Sequence, residues 1–377
     1  MTEPEATPRS AAASPAVFLA TFALILLAMG GLFAVDLFLA GLERRELRSE
    51  ARRLYEEGMS LSLRGRRLQA VDRFQSAVAA ERTNPVYQRA LADAMLIAGR
   101  PAEGRAIAAD WLQREPTDAA ASLVVARALV REGKPAEAIP YYHRAIYGVW
   151  DQDPDANRVR ARFELVDVLA RMGAQRQLLA ELLPLQDQAP TDRETRSRIA
   201  YLFLDAGAPA RAIEIFRSLL KQRRDSRAYA GLGEAELARG NYRSARANLA
   251  AAAELAPGDS TIAPRLALVR RVIELDPTQR GIGSEEEYRR SVELLGLTLE
   301  ATDSCLTANA ATSLGVVDSA RAAVIARPYR STGRGHAAVE ANIDLAERLW
   351  ELRRAQCPAG SSAAEEPMAL VLERLRQ

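Results

Sequence analysis

A glycine returns along the middle of the chain at a nearly fixed interval. Gly65, Gly99, Gly133, Gly173, Gly207 and Gly240 stand 34, 34, 40, 34 and 33 residues apart. A period of that length constrains the fold more than local propensity does, because a unit so short cannot bury its own apolar face and has to stack on its neighbours. Placing each glycine fifteenth in a 34-residue unit starts the units at Ala51, Pro85, Ala119, Val159, Arg193 and Ser226. Seven places before the glycine come Gly58, Ala92, Ala126, Val166, Ala200 and Gly233, all small but one, as a close helix crossing requires. Nine places after it come Phe74, Ala108, Tyr142, Leu182, Phe216 and Leu249, which fill that space. Pro101, Pro135 and Pro209 sit two past the glycine, where the first turn of a helix tolerates proline, and Pro116, Pro190 and Pro257 close the unit. Each unit reads as helix, glycine turn, helix.

Segments such as GRPAEGR, GKPAEAI, GAPARAI and GNYRSAR carry a pattern that resembles the tetratricopeptide repeat family, in particular membrane-anchored bacterial members of it. The resemblance spans residues 42–259 and implies an all-α fold, a right-handed α-solenoid of about six helix-turn-helix repeats whose first helices line a concave binding face. Another helical-hairpin solenoid is the alternative. Departures are Glu57 and Glu236 in apolar columns, Trp111 for a small residue, Leu178 for the usual alanine, and a six-residue insertion, Asp153 to Arg158, before the fourth unit.

Ahead of the repeats, residues 1–14 read as a disordered tail and residues 15–41 as a transmembrane anchor. Ala16 to Val35 carries no charge and, at about 1.5 Å per residue, spans about 30 Å, the thickness of a bilayer core. A cleaved signal peptide would have a shorter apolar run and a basic start. Residues 16–35 are therefore expected to contact lipid, with Asp36 near the interface, as a single pass through a cell inner membrane. Gly30 and Ala34 form a small-residue face that would allow homo-oligomers. The spacing of Leu42, Leu47, Ala51, Leu54, Gly58 and Leu61 continues the membrane helix into the first repeat.

Beyond the repeats, residues 260–276 read as a capping helix and 284–357 as a small C-terminal helical module, with Ser284 and Glu287 forming a capping box, and 358–377 as a tail in which Met368 to Leu375 adds a helix. In an up-down-up arrangement Cys305 and Cys357 fall at the same end of the module, so they can form a disulfide. The alternative is two free core thiols. Sidedness is contested: Arg44, Arg45, Arg48, Arg52 and Arg53 after the span put the repeats in the cytoplasm by positive-inside counting, whereas a disulfide needs an oxidising compartment. The cysteines tip the reading to the periplasmic side.

A net charge of +2 gives no reason to expect nucleic acid. With two histidines, two cysteines and no phosphate loop or CxxC pair, the chain has little material for a metal or cofactor site, and it is read as a non-enzyme. The resemblance places the partner on the concave face. The positions it carries over include Arg52, Tyr55, Met59, Arg89, Asp93, Arg127, Arg131, Arg160, Phe163, Asp167, Arg171, Tyr201, Arg227 and Glu234. Arginine forks with interspersed aromatics suit an extended or helical peptide; a solvated face without a ligand is the alternative. The expected function is a membrane-anchored scaffold for protein or peptide partners in an envelope complex, with a regulatory or substrate-presenting subunit of a separate enzyme as the rival.

Overall fold

The computed structural model of the chain describes residues 15–304, 314–325, 335–357 and 365–376, excluding the side chains of 15–21, 23 and 314. They form 17 α-helices and, among the described residues, no strand beyond an isolated bridge from Asp118 to Val149. The fold is an all-α hairpin array of the tetratricopeptide type. It divides into a first unit ending at Val168 and a second beginning at Leu169.

In the first unit, α1 (Pro15–Leu63) pairs with α2 (Arg67–Ala80), α3 (Pro85–Ile97) with α4 (Pro101–Arg114), and α5 (Ala119–Arg131) with α6 (Pro135–Tyr147), followed by α7 (Pro154–Arg171). The insertion lengthens the start of α7 rather than forming a separate loop. Just before it, residues 148–150 cross back to the start of α5, where the Ala119 amide donates to the Val149 carbonyl at 3.0 Å.

The second unit holds α8 (Gln175–Gln188), the hairpins α9 (Arg193–Asp205) with α10 (Pro209–Gln222) and α11 (Ser226–Ala238) with α12 (Tyr242–Leu255), and α13 (Ile262–Leu275). The C-terminal helices are α14 (Ser284–Asp303), α15 (Leu314–Ile325), α16 (Gly335–Gln356) and α17 (Glu366–Leu375). One core runs from Leu237, Tyr242 and Leu249 through Val269 and Leu294 to Trp350 and Val371, so the C-terminal helices extend the repeat core rather than forming a separate one. The anticipated capping box is absent: Gly283 is the N-cap of α14, Ser284 is already helical, and no side chain caps that end.

The hairpins look as they do for two local reasons. All six periodic glycines have φ between 66° and 81°, the left-handed region that a residue with a Cβ avoids. They end each first helix in the same way: Gly133 donates to the Val130 carbonyl at 3.1 Å and Lys134 to that of Leu129 at 2.9 Å, and this pair of hydrogen bonds repeats at Gly65, Gly99, Gly173, Gly207 and Gly240. The crossing column is tight. A Cβ on Gly58 would stand 2.7 Å from the Phe74 ring, and one on Gly233 2.6 Å from Leu249. Ala92, Ala126, Val166 and Ala200 at that place are fully buried.

Candidate peptide-binding face

The first helices are held at a fixed entry by a second periodic column. Asn84, Asp118, Asp192 and Asp225 end the units before each new first helix, and each accepts a hydrogen bond from a backbone amide of the following turn, of Val86, Ala121, Thr195 and Arg227 respectively, at 2.9 to 3.0 Å. These Asx residues, 34, 74 and 33 apart with Arg158 in the column at the fourth unit, were visible in the sequence and were not singled out there.

On the first-helix face of the first unit, the charged residues form a ladder from one repeat to the next. Arg127 of α5 forks onto Glu164 of α7, Nε to Oε2 at 2.9 Å and Nη2 to Oε1 at 2.6 Å, and reaches Asp93 of α3 at 3.6 Å. Burial opposes the charge on Arg127, but the bonds to Glu164 and the field of Asp93 outweigh it and raise its pKa. Asp93 has its pKa raised by burial, against the pull of Arg127 and Arg131. One step over, the half-buried Arg89 donates to Asp118 at 3.3 Å and to Asp151 at 3.0 Å, and the Trp111 indole N–H donates to the same Asp118 oxygen at 2.8 Å. Arg52 pairs with Glu56 along α1 at 2.9 Å. Tyr55 is half-buried between Phe74 and Tyr87, with ring centroids 5.8 and 5.2 Å away. Phe163 and Asp167 are half-buried on α7, while Arg131 and Arg160 are exposed and outside the ladder.

In the second unit, Arg171 is exposed at the end of α7. The Tyr201 hydroxyl donates to the Arg227 carbonyl at 2.9 Å, the Arg227 guanidinium lies 5.7 Å from the Tyr201 ring, and burial raises the Tyr201 pKa. Glu234 is forked by Arg265 of α13, at 2.7 and 2.5 Å, and Arg265 also reaches Glu366 of α17 at 3.3 Å. The bond to Glu234, against burial, raises the Arg265 pKa. A cleft of about 400 Å³ remains here, lined by Leu204, Leu237, Arg239, Tyr242, Leu370 and Glu373 among others. α17 forms one wall of it, held by the Tyr242 hydroxyl donating to the Leu370 carbonyl at 2.8 Å and by Arg374 paired with the fully buried Asp276.

Sequence reasoning named Arg89, Arg127, Arg227 and Glu234 as ligand contacts, and each of them has a partner within the protein. It missed Glu164, Asp118, Asp151 and Arg265, which partner Arg127, Arg89 and Glu234; the partner of Arg227 is Tyr201, itself one of the named positions. Glu236, flagged as a charge in an apolar column, is buried and bonded to Arg217 at 2.8 Å and Asn241 at 2.7 Å. Cys357 is disulfide-bonded, and Cys305 lies outside the described residues. Among the described residues no group of three His, Cys, Asp or Glu side chains is placed to hold a metal ion.

No family model matches the chain, and no curated protein matches it. Solved structures do. The TPR protein YrrB, described as having an unusual peptide-binding site, is 16% identical over 50% of this chain and 94% of its own, with a TM-score of 0.42. PilW, a type IV pilus biogenesis factor, is 16% identical over 58% of this chain and 98% of its own, at 0.43. The C-terminal part of a TPR repeat-containing protein from Cytophaga hutchinsonii is 11% identical over 83% of this chain and 98% of its own, at 0.45. The fold assignment rests on the period and the turn geometry of the chain itself.

Proposed function

We propose that the chain is a membrane-anchored adaptor that receives a peptide segment of a protein partner on the first-helix face of its first unit. The observation that carries this reading is how the charge on that face is used. Arg89 and Arg127 are neutralised by the ladder and serve to shape the surface. Arg131 and Arg160 are exposed, Arg160 three residues before the half-buried Phe163 on α7, and both are read as available to a ligand's carboxylates. The corresponding face of the second unit is engaged by Arg265 and bordered by α17, which leaves less of it for a partner.

The anchor is α1, one helix long and apolar enough to cross a membrane, with exposed apolar side chains. The bonded state of Cys357 supports a periplasmic array, because a structural disulfide persists in an oxidising compartment. Labelling of thiols in intact cells with an impermeant reagent tests the sidedness: modification only after reduction is expected, and modification only after lysis would place the array in the cytoplasm. Peptide selection on the intact chain in nanodiscs tests the face. The expected result is an enriched acidic set that Arg131→Glu with Arg160→Glu abolishes. Enrichment untouched by that pair of changes would refute the assignment.

A further inference from the structure

The membrane span and the first repeat share one helix. α1 runs unbroken from Pro15 to Leu63. The dense run of its exposed large apolar side chains extends from Phe22 to Leu42, with Leu47, Met59 and Leu63 exposed singly beyond it; that run rises about 30 Å, which matches a bilayer core. From Glu43 to Glu57 the chain has neither glycine nor proline, the residues at which helices kink sharply. Pairs tie this stretch along its own axis, Arg53 to Glu57 at 3.3 Å and Arg52 to Glu56 at 2.9 Å, and Arg48 lies 3.8 Å from Glu81 beyond the end of α2. Each exposed pair contributes little; the missing hinge is what matters. Ala51 and Leu54 are already buried with Ala77 and Tyr87, so the helix enters a packed core within three turns of Leu42.

The heights follow from the helical rise. Arg52, Tyr55 and Met59 stand about 15, 20 and 26 Å past Leu42 along the axis, and the head groups occupy roughly the first 5–8 Å. Tilting the helix lowers all three. α3 lies beside this segment rather than beyond it, since Tyr87 stacks on Tyr55 at 5.2 Å. The first rungs of the face therefore stand roughly 7–21 Å above the head groups. A few extended residues rising from the same bilayer reach that height.

We propose that α1 is a rigid strut that holds the first-unit face close above the membrane surface, and that the occupant of that face is the juxtamembrane segment of an integral membrane protein. This rests on the peptide-binding reading above and adds where the peptide comes from. Tethering alone raises local concentration, so the test has to read geometry. The intact chain is expressed in a bacterial inner membrane with a split reporter. Against it stands a random twelve-residue library, presented either as soluble fusions or behind a model transmembrane helix through spacers of graded length.

Clones abolished by Arg131→Glu are expected to come from the membrane arm, with spacers of roughly 4–8 residues, the extended length that spans those heights. A seven-residue helical insertion after Glu46 raises the array by about 10 Å and should move the preferred spacer outward by about three residues. A Gly-Ser insertion of equal length should erase the preference. Soluble clones as strong as tethered ones, or a preferred spacer indifferent to either insertion, would overturn the strut. If no arm yields a clone sensitive to Arg131→Glu while the chain still floats with membranes, the peptide-binding reading itself falls, and this inference with it.

Discussion

The six turn glycines and the ladder residues make different demands on the residue occupying a position. A Cβ on Gly133 would meet nothing within 4 Å, so Gly133→Ala is unfavourable only through its φ of 76°. It should cost about 1–2 kcal/mol in urea unfolding, the penalty for forcing a side chain into the left-handed region. Arg127 is different because its guanidinium forks onto Glu164 and also reaches Asp93. Arg127→Ala leaves Asp93 and Glu164 with their shared cation gone and should cost about 1–3 kcal/mol. Arg127→Lys should recover only part of that, since an ammonium cannot reproduce the bidentate geometry. For Asp93 the sign runs the other way from a usual ion-paired carboxylate. Its pKa is raised in the folded chain, so ionisation favours the unfolded state: the penalty is absent well below the ordinary value of 3.8 and grows as pH rises through and above it. Stability measured against pH should therefore fall less above that value in Asp93→Asn than in the native chain, and an identical profile would remove Asp93 from the account.

At the scale of elements, α17 shows how a short helix becomes fixed. Its ten residues bury Met368, Val371 and Leu372 in the repeat core, while Arg374 reaches back to Asp276, which also accepts from the Thr278 amide at 2.9 Å and from Gln279 at 2.7 Å. Arg374→Ala strands a buried carboxylate with neutral donors only. The change should cost about 2–3 kcal/mol and should speed hydrogen exchange in α17 well before it affects α9 to α12; uniform loss of protection would mean that α17 is not a separable element. Much at this scale was legible beforehand. The boundaries of α3, α5, α9 and α11 follow from the glycine period, and the continuity of α1 from its spacing, because these depend on contacts within a few residues or one repeat. The start of α14 was misread. Ser284 and Glu287 have capping-box spacing, but the chain enters the helix one residue earlier, and Glu286 instead pairs with Arg289 and Arg290. Those pairs hold its carboxyl down at about 2.

For the molecule as a whole, the anchor reading makes a plain prediction. Removal of residues 1–42 should move the protein from the membrane to the soluble fraction with its helical signal otherwise retained, because Ala51, Leu54 and Gly58 supply the α1 contacts of the first core and lie beyond the deletion. Retention on membranes would assign the attachment elsewhere. By itself the sequence determined the repeating hairpin, its turns, its close crossings and the apolar span, since each of these is written in spacing and in residue size. The tertiary structure decided which charges on the first-helix face are already paired: Arg127 meets Glu164 across 37 residues and Arg265 meets Glu234 across 31. A residue's place within its own repeat says that it lines the face. Whether it is free depends on the partner that the neighbouring helix brings within about 3 Å, and no pattern internal to one repeat records that distance.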